Sequence, residues 1–376
     1  MSSAVLSLLH TADLHLGARF PGLGEVEEER RRDFLATFRR LIDVALERRV
    51  DLFVVSGDLF DVPRPESGLV SFVAGQLERL VQAGILPVLL PGTHDWQTGR
   101  SGPYNSERLP GAVLLVSSGV TEVRVGETRV WLYAAIPQGK DASSLATTMR
   151  RRPGQGIHVG LLHGSLVGNP EWDYRSRDLP FSCSDLVGWD LDYVALGHYH
   201  RYQTLEAGGR LLACYPGSPE GKRFGEDGPR YGLLVRVGHR TAAVEPIEVQ
   251  QRQLRQESLE LAADLDDMAI AALICERAGG RDLVRLTLEG TLDRVLDLDA
   301  LRQRCLPSCF YLDLVDRTRW FRLDRLDRLA REESVRGEVI RRFQRLRDNA
   351  AEEADRAEID QALREILVRF HNREEL

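Results

Sequence analysis

Several features are scarce in this chain of 376 residues, and each scarcity narrows what the protein is. No run of about 18 consecutive apolar residues occurs, so no transmembrane helix is expected. The five cysteines, Cys183, Cys214, Cys275, Cys305 and Cys309, are odd in number, scattered and without a CxxC pair. That pattern disfavours a disulfide framework or a zinc ribbon and fits reduced thiols. Lysine is nearly missing, with only Lys140 and Lys222, so almost all positive charge is arginine. Positive charge is not in excess either. The net charge of -7 does not advertise nucleic acid, so such a contact would need a local basic surface or metal ions. The opening "MSSAVLSLLHTADLH" has no basic stretch before its apolar run and no small-residue cleavage pattern, and reads as a first strand rather than a signal peptide. These observations lead us to expect a cytoplasmic protein with no membrane segment.

What is present is enough to fold. Apolar residues make up 43% and charged residues 28%, a composition able to bury a full core, and the length favours two or three domains. "AVLSLL", "DLFVVS" and "ILPVLL" read as buried strands. Between them, Phe34, Phe38, Leu41, Ile42 and Ala45 mark one helix face, and Leu69, Phe72, Val73, Leu77 and Leu80 a second. This β-α-β-α-β order predicts a parallel sheet with helices packed on it. "RVWLYAAI", "HVGLLH" and "DYVALG" continue as strands. The paired segments "RYQTLEA" with "RLLACY" and "YGLLVRV" with "AAVEPIEV" predict an antiparallel set forming a second sheet. The expected fold class is therefore α/β, a two-sheet sandwich flanked by helices over residues 1–253. Residues 254–320 read as a small α+β domain, and 321–376 as a helical tail with stripes at Val335, Val339, Phe343 and Leu346, and at Ile359, Leu363, Ile366, Leu367 and Phe370. Such a tail either packs on its own domain or docks a partner.

Strand ends carry the chemistry. "HTADLHLG" places Asp13 and His15 after the first strand, "SGDLFD" places Asp58 after the second, and "PGTHD" places Thr93, His94 and Asp95 after the third. "LLHGS" adds His163, and "LGHYH" adds His198 and His200. Ligands of open α/β sheets bind at the carboxyl ends of strands, so these residues should converge on one edge. A single Asp-x-His or His-x-His is weak evidence, but five of the nine histidines stand in this position. Imidazoles and carboxylates without thiolate suit Mn²⁺, Fe or Zn²⁺ in a working site. A carboxylate such as Asp58 is able to bridge two ions about 3.5–4 Å apart, the arrangement that activates water and clamps phosphoryl oxygens in two-metal hydrolases.

The order D-x-H, G-D, G-x-H-D, H, G-H-x-H over roughly Val5 to Val237 resembles the calcineurin-like metallophosphoesterases. "HTADLHLG", "GDLFD" and "YPGSPEGKRFGE" are similar to the DNA double-strand-break repair nucleases of the SbcD and YhaO type. The resemblance implies that Asp13, His15 and His200 hold one divalent metal ion, that Asp58 bridges, and that His163 and His198 hold the second. Mn²⁺ is the first expectation, with Fe, Zn²⁺ or Mg²⁺ as alternatives. His94 would face the substrate phosphate, with Asp95 orienting its ring or capping a helix. The family pattern has asparagine where this chain has Thr93. A hydroxyl is shorter than an amide and a poorer direct ligand, so a weaker second site is expected. The resemblance further implies a DNA exonuclease or endonuclease, a capping domain at 254–320, a coiled-coil ABC-type ATPase bound by the tail, and a possible homodimer. Alternatives are a phosphodiesterase or phosphatase of a small molecule, and a metal-binding scaffold without catalysis. Candidate phosphate-contacting arginines are Arg19, Arg64, Arg100, Arg175 and Arg223, each of which is as well read as a solvated charge.

Overall fold

The computed structural model describes residues 5–96, 102–136, 143–169, 179–292, 294, 296–320 and 323–374; Arg100, Arg175 and the side chain of Phe370 lie outside the described residues. The chain divides into two compact units, Met1–Leu254 and Arg255–Leu376.

The first unit begins β1 (Leu6–Thr11), α1 (Glu27–Arg48), β2 (Leu52–Ser56), α2 (Ser67–Gln82), β3 (Leu86–Leu90) and β4 (Val113–Leu114). It continues β5 (Gly119–Val125), β6 (Thr128–Ala135), α3 (Ser143–Met149), β7 (Ile157–His163), α4 (Cys183–Trp189) and β8 (Tyr193–Gly197). It closes with β9 (Gln203–Ala207), β10 (Arg210–Tyr215), β11 (Tyr231–Gly238) and β12 (Thr241–Glu248). Two sheets of six strands result, ordered β12-β11-β1-β2-β3-β4 and β5-β6-β7-β8-β10-β9. The run β1 to β4 is parallel, as the alternation of strand and helix requires. The four late β segments do not form one antiparallel set. β11 and β12 pair onto β1 in the first sheet, and β10 adds in parallel to β8 with β9 outside it. Sequence pattern shows that two segments form a hairpin, but not which open edge the hairpin joins.

Layering follows from alternation along the strands. Leu6, Leu8, Leu52, Val54 and Val88 meet Val130, Leu132, Val159 and Leu161 between the two sheets. The opposite faces bury Leu9, Phe53, Val55 and Leu89 under Phe38, Leu41, Val73 and Leu77 of α1 and α2. Phe38 is fully buried, a gain of roughly 2–3 kcal/mol for one such side chain. α1 carries Glu27, Glu28 and Glu29 in its first turn and ends at Arg49 in the left-handed region, so its dipole and its stop are both set locally.

In the second unit β13 (Leu254–Leu261), α5 (Asp267–Ala278), β14 (Gly280–Leu292), α6 (Leu298–Cys305), β15 (Cys309–Asp316) and β16 (Arg319–Trp320) build a small sheet with two helices around Ile270, Ile274, Val284, Leu286 and Leu301. α7 (Leu323–Ala330), α8 (Val335–Asn349) and α9 (Glu353–Glu374) follow, one helix more than the two stripes indicate. Ile340, Leu363 and Leu367 form the centre of their contact, while Val335 and Leu346 are exposed. Val339 and Phe343 pack against that centre as the sequence reading has them, Ile340 is added beside them, and only the two ends of the α8 stripe are left out. Among the described residues no helix is long and apolar enough to cross a membrane.

Candidate metal centre

Strands β1, β2, β3, β7 and β8 deliver the candidate side chains to one edge. Each strand is apolar and mostly buried, so the first polar residues beyond it emerge together at the carboxyl end. The turns are tight. Asp13, His15, Asp58 and His198 have φ of 52°, 46°, 51° and 105°, a region that non-glycine residues seldom occupy. Backbone bonds from Asp13 N to Gly57 O (3.1 Å) and from His15 N to Asp58 O (3.0 Å) lock the first two turns together. At Gly57, with φ of +98°, a Cβ would lie 2.1 Å from His163 Nδ1, so only glycine lets that ring approach.

Six of the candidate residues fall into three overlapping clusters whose ligand atoms lie within 4.8 Å of one another: Asp13, His15 and His200; His15, Asp58 and His94; Asp13, Asp58 and His163. His198 joins through Nδ1, 3.4 Å from His163 Nε2, and its backbone N–H donates to Asp13 Oδ2 at 2.9 Å. Thr93 is half-buried in the turn after β3, where the neighbouring His94 N–H donates to Asp58 Oδ1 at 2.8 Å. Asp13, His15, Asp58 and His163 are buried, while the His94 side chain is 49% exposed, the placement of a group that meets an incoming molecule.

The rings are oriented from behind. His200 Nδ1 lies 2.9 Å from Glu226 Oε1, His15 Nδ1 lies 3.1 Å from Asp61 Oδ1, and His163 Nδ1 lies 3.0 Å from Ser56 O. The Glu226 and Ser56 contacts place an N–H on Nδ1 of His200 and His163 and turn each Nε2 towards the cluster. The Nε2 atoms of His15 and His200 then face one another at 3.2 Å, and His163 Nε2 faces Asp58 Oδ2 at 3.2 Å. Atoms opposed at these distances need a cation between them, a proton in the metal-free chain or a metal ion in the loaded one. The donor set therefore fits divalent metal ions, and its two groupings around Asp58 fit a pair of them. The proton affinities show the same field. Burial opposes a charge on His163, but the adjacent Asp58 and then Asp13 outweigh it and raise its pKa to about 10. His198, beside that charge and buried, is pushed down to about 3. Burial opposes ionisation of Glu226, yet its bond to His200 holds it down at about 2.

One expected role is corrected. Asp95 does not hold the His94 ring. Its carboxylate accepts from Gly92 N–H at 2.8 Å, from Phe60 N–H at 3.0 Å and from the Tyr104 hydroxyl, tying the turns after β2 and β3 together. The group beside His94 Nδ1 is Asp61, through its carbonyl at 3.3 Å and its carboxylate at 4.0 Å. Asp61 also receives Lys222 Nζ at 2.6 Å. Asp61, Glu226, Lys222 and Tyr104 are site residues that motif reading passed over. The first three lie inside "GDLFD" and "YPGSPEGKRFGE", but an acidic or basic loop residue carries no periodic signal that marks it out.

Comparison with known proteins agrees with this geometry. Residues 6–202 match the calcineurin-like phosphoesterase family. The chain is 29% identical over 301 residues to the uncharacterized metallophosphoesterase YhaO of Bacillus subtilis, covering 76% of this chain and 72% of that protein. It is 28% identical over 219 residues to the DNA double-strand break repair protein Mre11 of Sulfurisphaera tokodaii, covering 57% and 54%. To the protein of the same name from Aeropyrum pernix it is 40% identical over 269 residues, covering 65% and 61%. The matches thus span less than two thirds of either Mre11 protein. The family match takes in more than half of the chain and includes Asp13, His15, Asp58, His94, His163, His198 and His200. The chain therefore belongs to the calcineurin-like phosphoesterases and is a metal-dependent phosphoesterase.

Proposed function

We propose that the protein hydrolyses phosphodiester bonds of DNA with two divalent metal ions, Mn²⁺ first among them. The observation that carries the two-metal reading is the convergence of Asp13, His15, Asp58, His94, His163 and His200 in three overlapping ligand clusters, with the Nε2 atoms of His15 and His200 3.2 Å apart. DNA as substrate is supported by the Mre11 relatives, which are DNA double-strand break repair proteins by name. Asp13, His15 and His200 would hold one ion, Asp58 both, and His163 and His198 the other, with Thr93 a weak contributor. The ions supply charge to activate water and to bind phosphoryl oxygens. The chain itself supplies His94, exposed at the mouth and steadied by Asp61, to bind the phosphate and pass a proton to the leaving oxygen. Residues 254–320 are read as a capping domain that guides DNA, and the helices of 321–376 as the dock for a coiled-coil ABC-type ATPase, with a homodimer as the working form. The test is incubation with Mn²⁺ and labelled single- and double-stranded DNA, alongside p-nitrophenyl esters. DNA should be cut, and His94→Gln should lower turnover by about 100-fold or more. Ester turnover without DNA cleavage would redirect the reading to a small-molecule phosphodiesterase, and no turnover with metal bound would leave a scaffold.

A further inference from the structure

His10 is buried in β1 and belongs to none of the metal clusters among the described residues. The alternation that sends Leu6 and Leu8 between the two sheets sends His10 there as well. Its Nδ1 lies 2.9 Å from the Tyr193 hydroxyl and its Nε2 lies 3.1 Å from the Leu196 carbonyl oxygen, both on β8. β1 is in the first sheet and β8 in the second, so one side chain is bonded across the layer. We propose that His10 is a positioning residue that ties the strand leading to Asp13 and His15 to the strand leading to His198 and His200, and so sets the separation of ligands drawn from different sheets. The inference rests on the two-metal reading of the centre and not on DNA as the substrate.

The chemistry of the layer is the first argument. It is built mainly from apolar side chains, Leu8, Val54, Leu161 and Ala195 among them. A buried imidazole there costs free energy unless its polar atoms are bonded, and an aliphatic side chain would fill the place without that cost. Packing alone therefore does not call for histidine. The bonding is complete and has one sense. A carbonyl only accepts, so Nε2 carries the proton and donates to Leu196, and Nδ1 accepts from the Tyr193 hydroxyl. Burial pushes the pKa of His10 down to about 3, which keeps the ring neutral with that one donor and one acceptor.

Position is the second argument. His10 stands three residues before Asp13, and Leu196 two residues before His198. Beyond these bonds, Gly197 brings β8 against the first sheet, where a Cβ would lie 1.9 Å from Ser56 O and 3.0 Å from Ala12 Cβ. The glycine sets how closely the strands approach, and the two directional bonds of His10 fix how one lies along the other. The next link is the bond from His198 N–H to Asp13 Oδ2 at 2.9 Å, where the two strands' ligands meet. A shift of β8 along β1 strains this bond first. It then moves His200 relative to Asp13 and His15, with which it forms one cluster.

The experiment is hydrogen-exchange mass spectrometry on the full, chelator-treated chain, read at residues 198–200 and, as a reference, at β3. His10→Leu should exchange about tenfold faster at 198–200 with the reference unchanged, the result of losing one buried bond locally. In calorimetric titration with Mn²⁺ the same variant should weaken the second binding event by about tenfold. Tyr193→Phe removes one of the two bonds and keeps the ring, and should give a smaller change of the same kind. His10→Gln offers one donor and one acceptor and should restore both readings. Unchanged exchange at 198–200 in His10→Leu and Tyr193→Phe, an equal rise at β3, or no recovery in His10→Gln would overturn the positioning role. So would faster exchange with Mn²⁺ affinity unaltered. A parent protein that takes up a single Mn²⁺ ion sinks the two-metal reading, and the exchange result then decides the role of His10 by itself.

Discussion

At the scale of single residues, the site is a set of imidazoles whose useful nitrogen is chosen by a partner behind the ring. Glu226 acts this way on His200, and its own acidity records the contact. Its folded pKa of about 2 lies below the value of about 4.3 for a free glutamate. The stabilisation is therefore fully present above about pH 4.3 and is lost as pH falls through about 2, a total of roughly 3 kcal/mol. Urea denaturation of the chelator-treated protein between pH 5 and 2 should show Glu226→Gln losing stability less steeply than the parent; parallel slopes would contradict the assignment. Thr93 is the second case at this scale. Restoring an amide with Thr93→Asn should tighten the weaker of two Mn²⁺ binding events by about tenfold, the order by which ligand-supporting groups act. Isothermal titration showing one unchanged second event would leave threonine without consequence for the metal.

At the scale of elements, the strand-end turns do the positioning, and their rigidity comes from contacts between turns. Asp95 joins Gly92 in the turn after β3 to Phe60 in the turn after β2, and Tyr104 closes the arrangement. Gly92 is packed against Asp58, where a Cβ would lie 2.2 Å from Oδ1 and 2.5 Å from the backbone nitrogen. Gly92→Ala must push the turn outward and break the bond from His94 N–H to Asp58. We expect a loss of about 100-fold in kcat/KM, the effect of misplacing a group by about 1 Å, with circular dichroism unchanged. Strand existence and the polar residue beyond each strand are legible in sequence, because both are local features. Which turn grips which is not, since Asp61 and Lys222 meet across 161 positions.

At the scale of the whole molecule, the first unit contains a buried polar network that joins α1 to the loop after β10. Arg30 of α1 donates to Glu220 at 2.6 Å, to the Gly221 carbonyl at 2.6 Å and to Asp33 at 3.1 Å. Glu220 also accepts from Thr37 at 2.6 Å and from Gln251 N–H at 2.8 Å. This network fastens the loop that brings Lys222 and Glu226 to the metal centre. Arg30→Met leaves Glu220 buried without its cation and should cost about 3–5 kcal/mol in urea denaturation; Glu220→Leu combined with Arg30→Met should recover much of it. A single variant as stable as the parent would show that the loop stands without the pair.

By itself the sequence determined the run of strands and helices, the change of character near residue 254, and the ligand-type residues waiting at the strand ends, because apolar periodicity and turn chemistry act over a few neighbouring residues. Only the tertiary structure decided which sheet the late hairpins join, that Asp95 braces turns while Asp61 attends His94, and that Glu226 selects the nitrogen of His200. Those choices depend on which sheet edges and loop side chains come within a few ångströms of each other after packing, and nothing in a local stretch of chain encodes that distance.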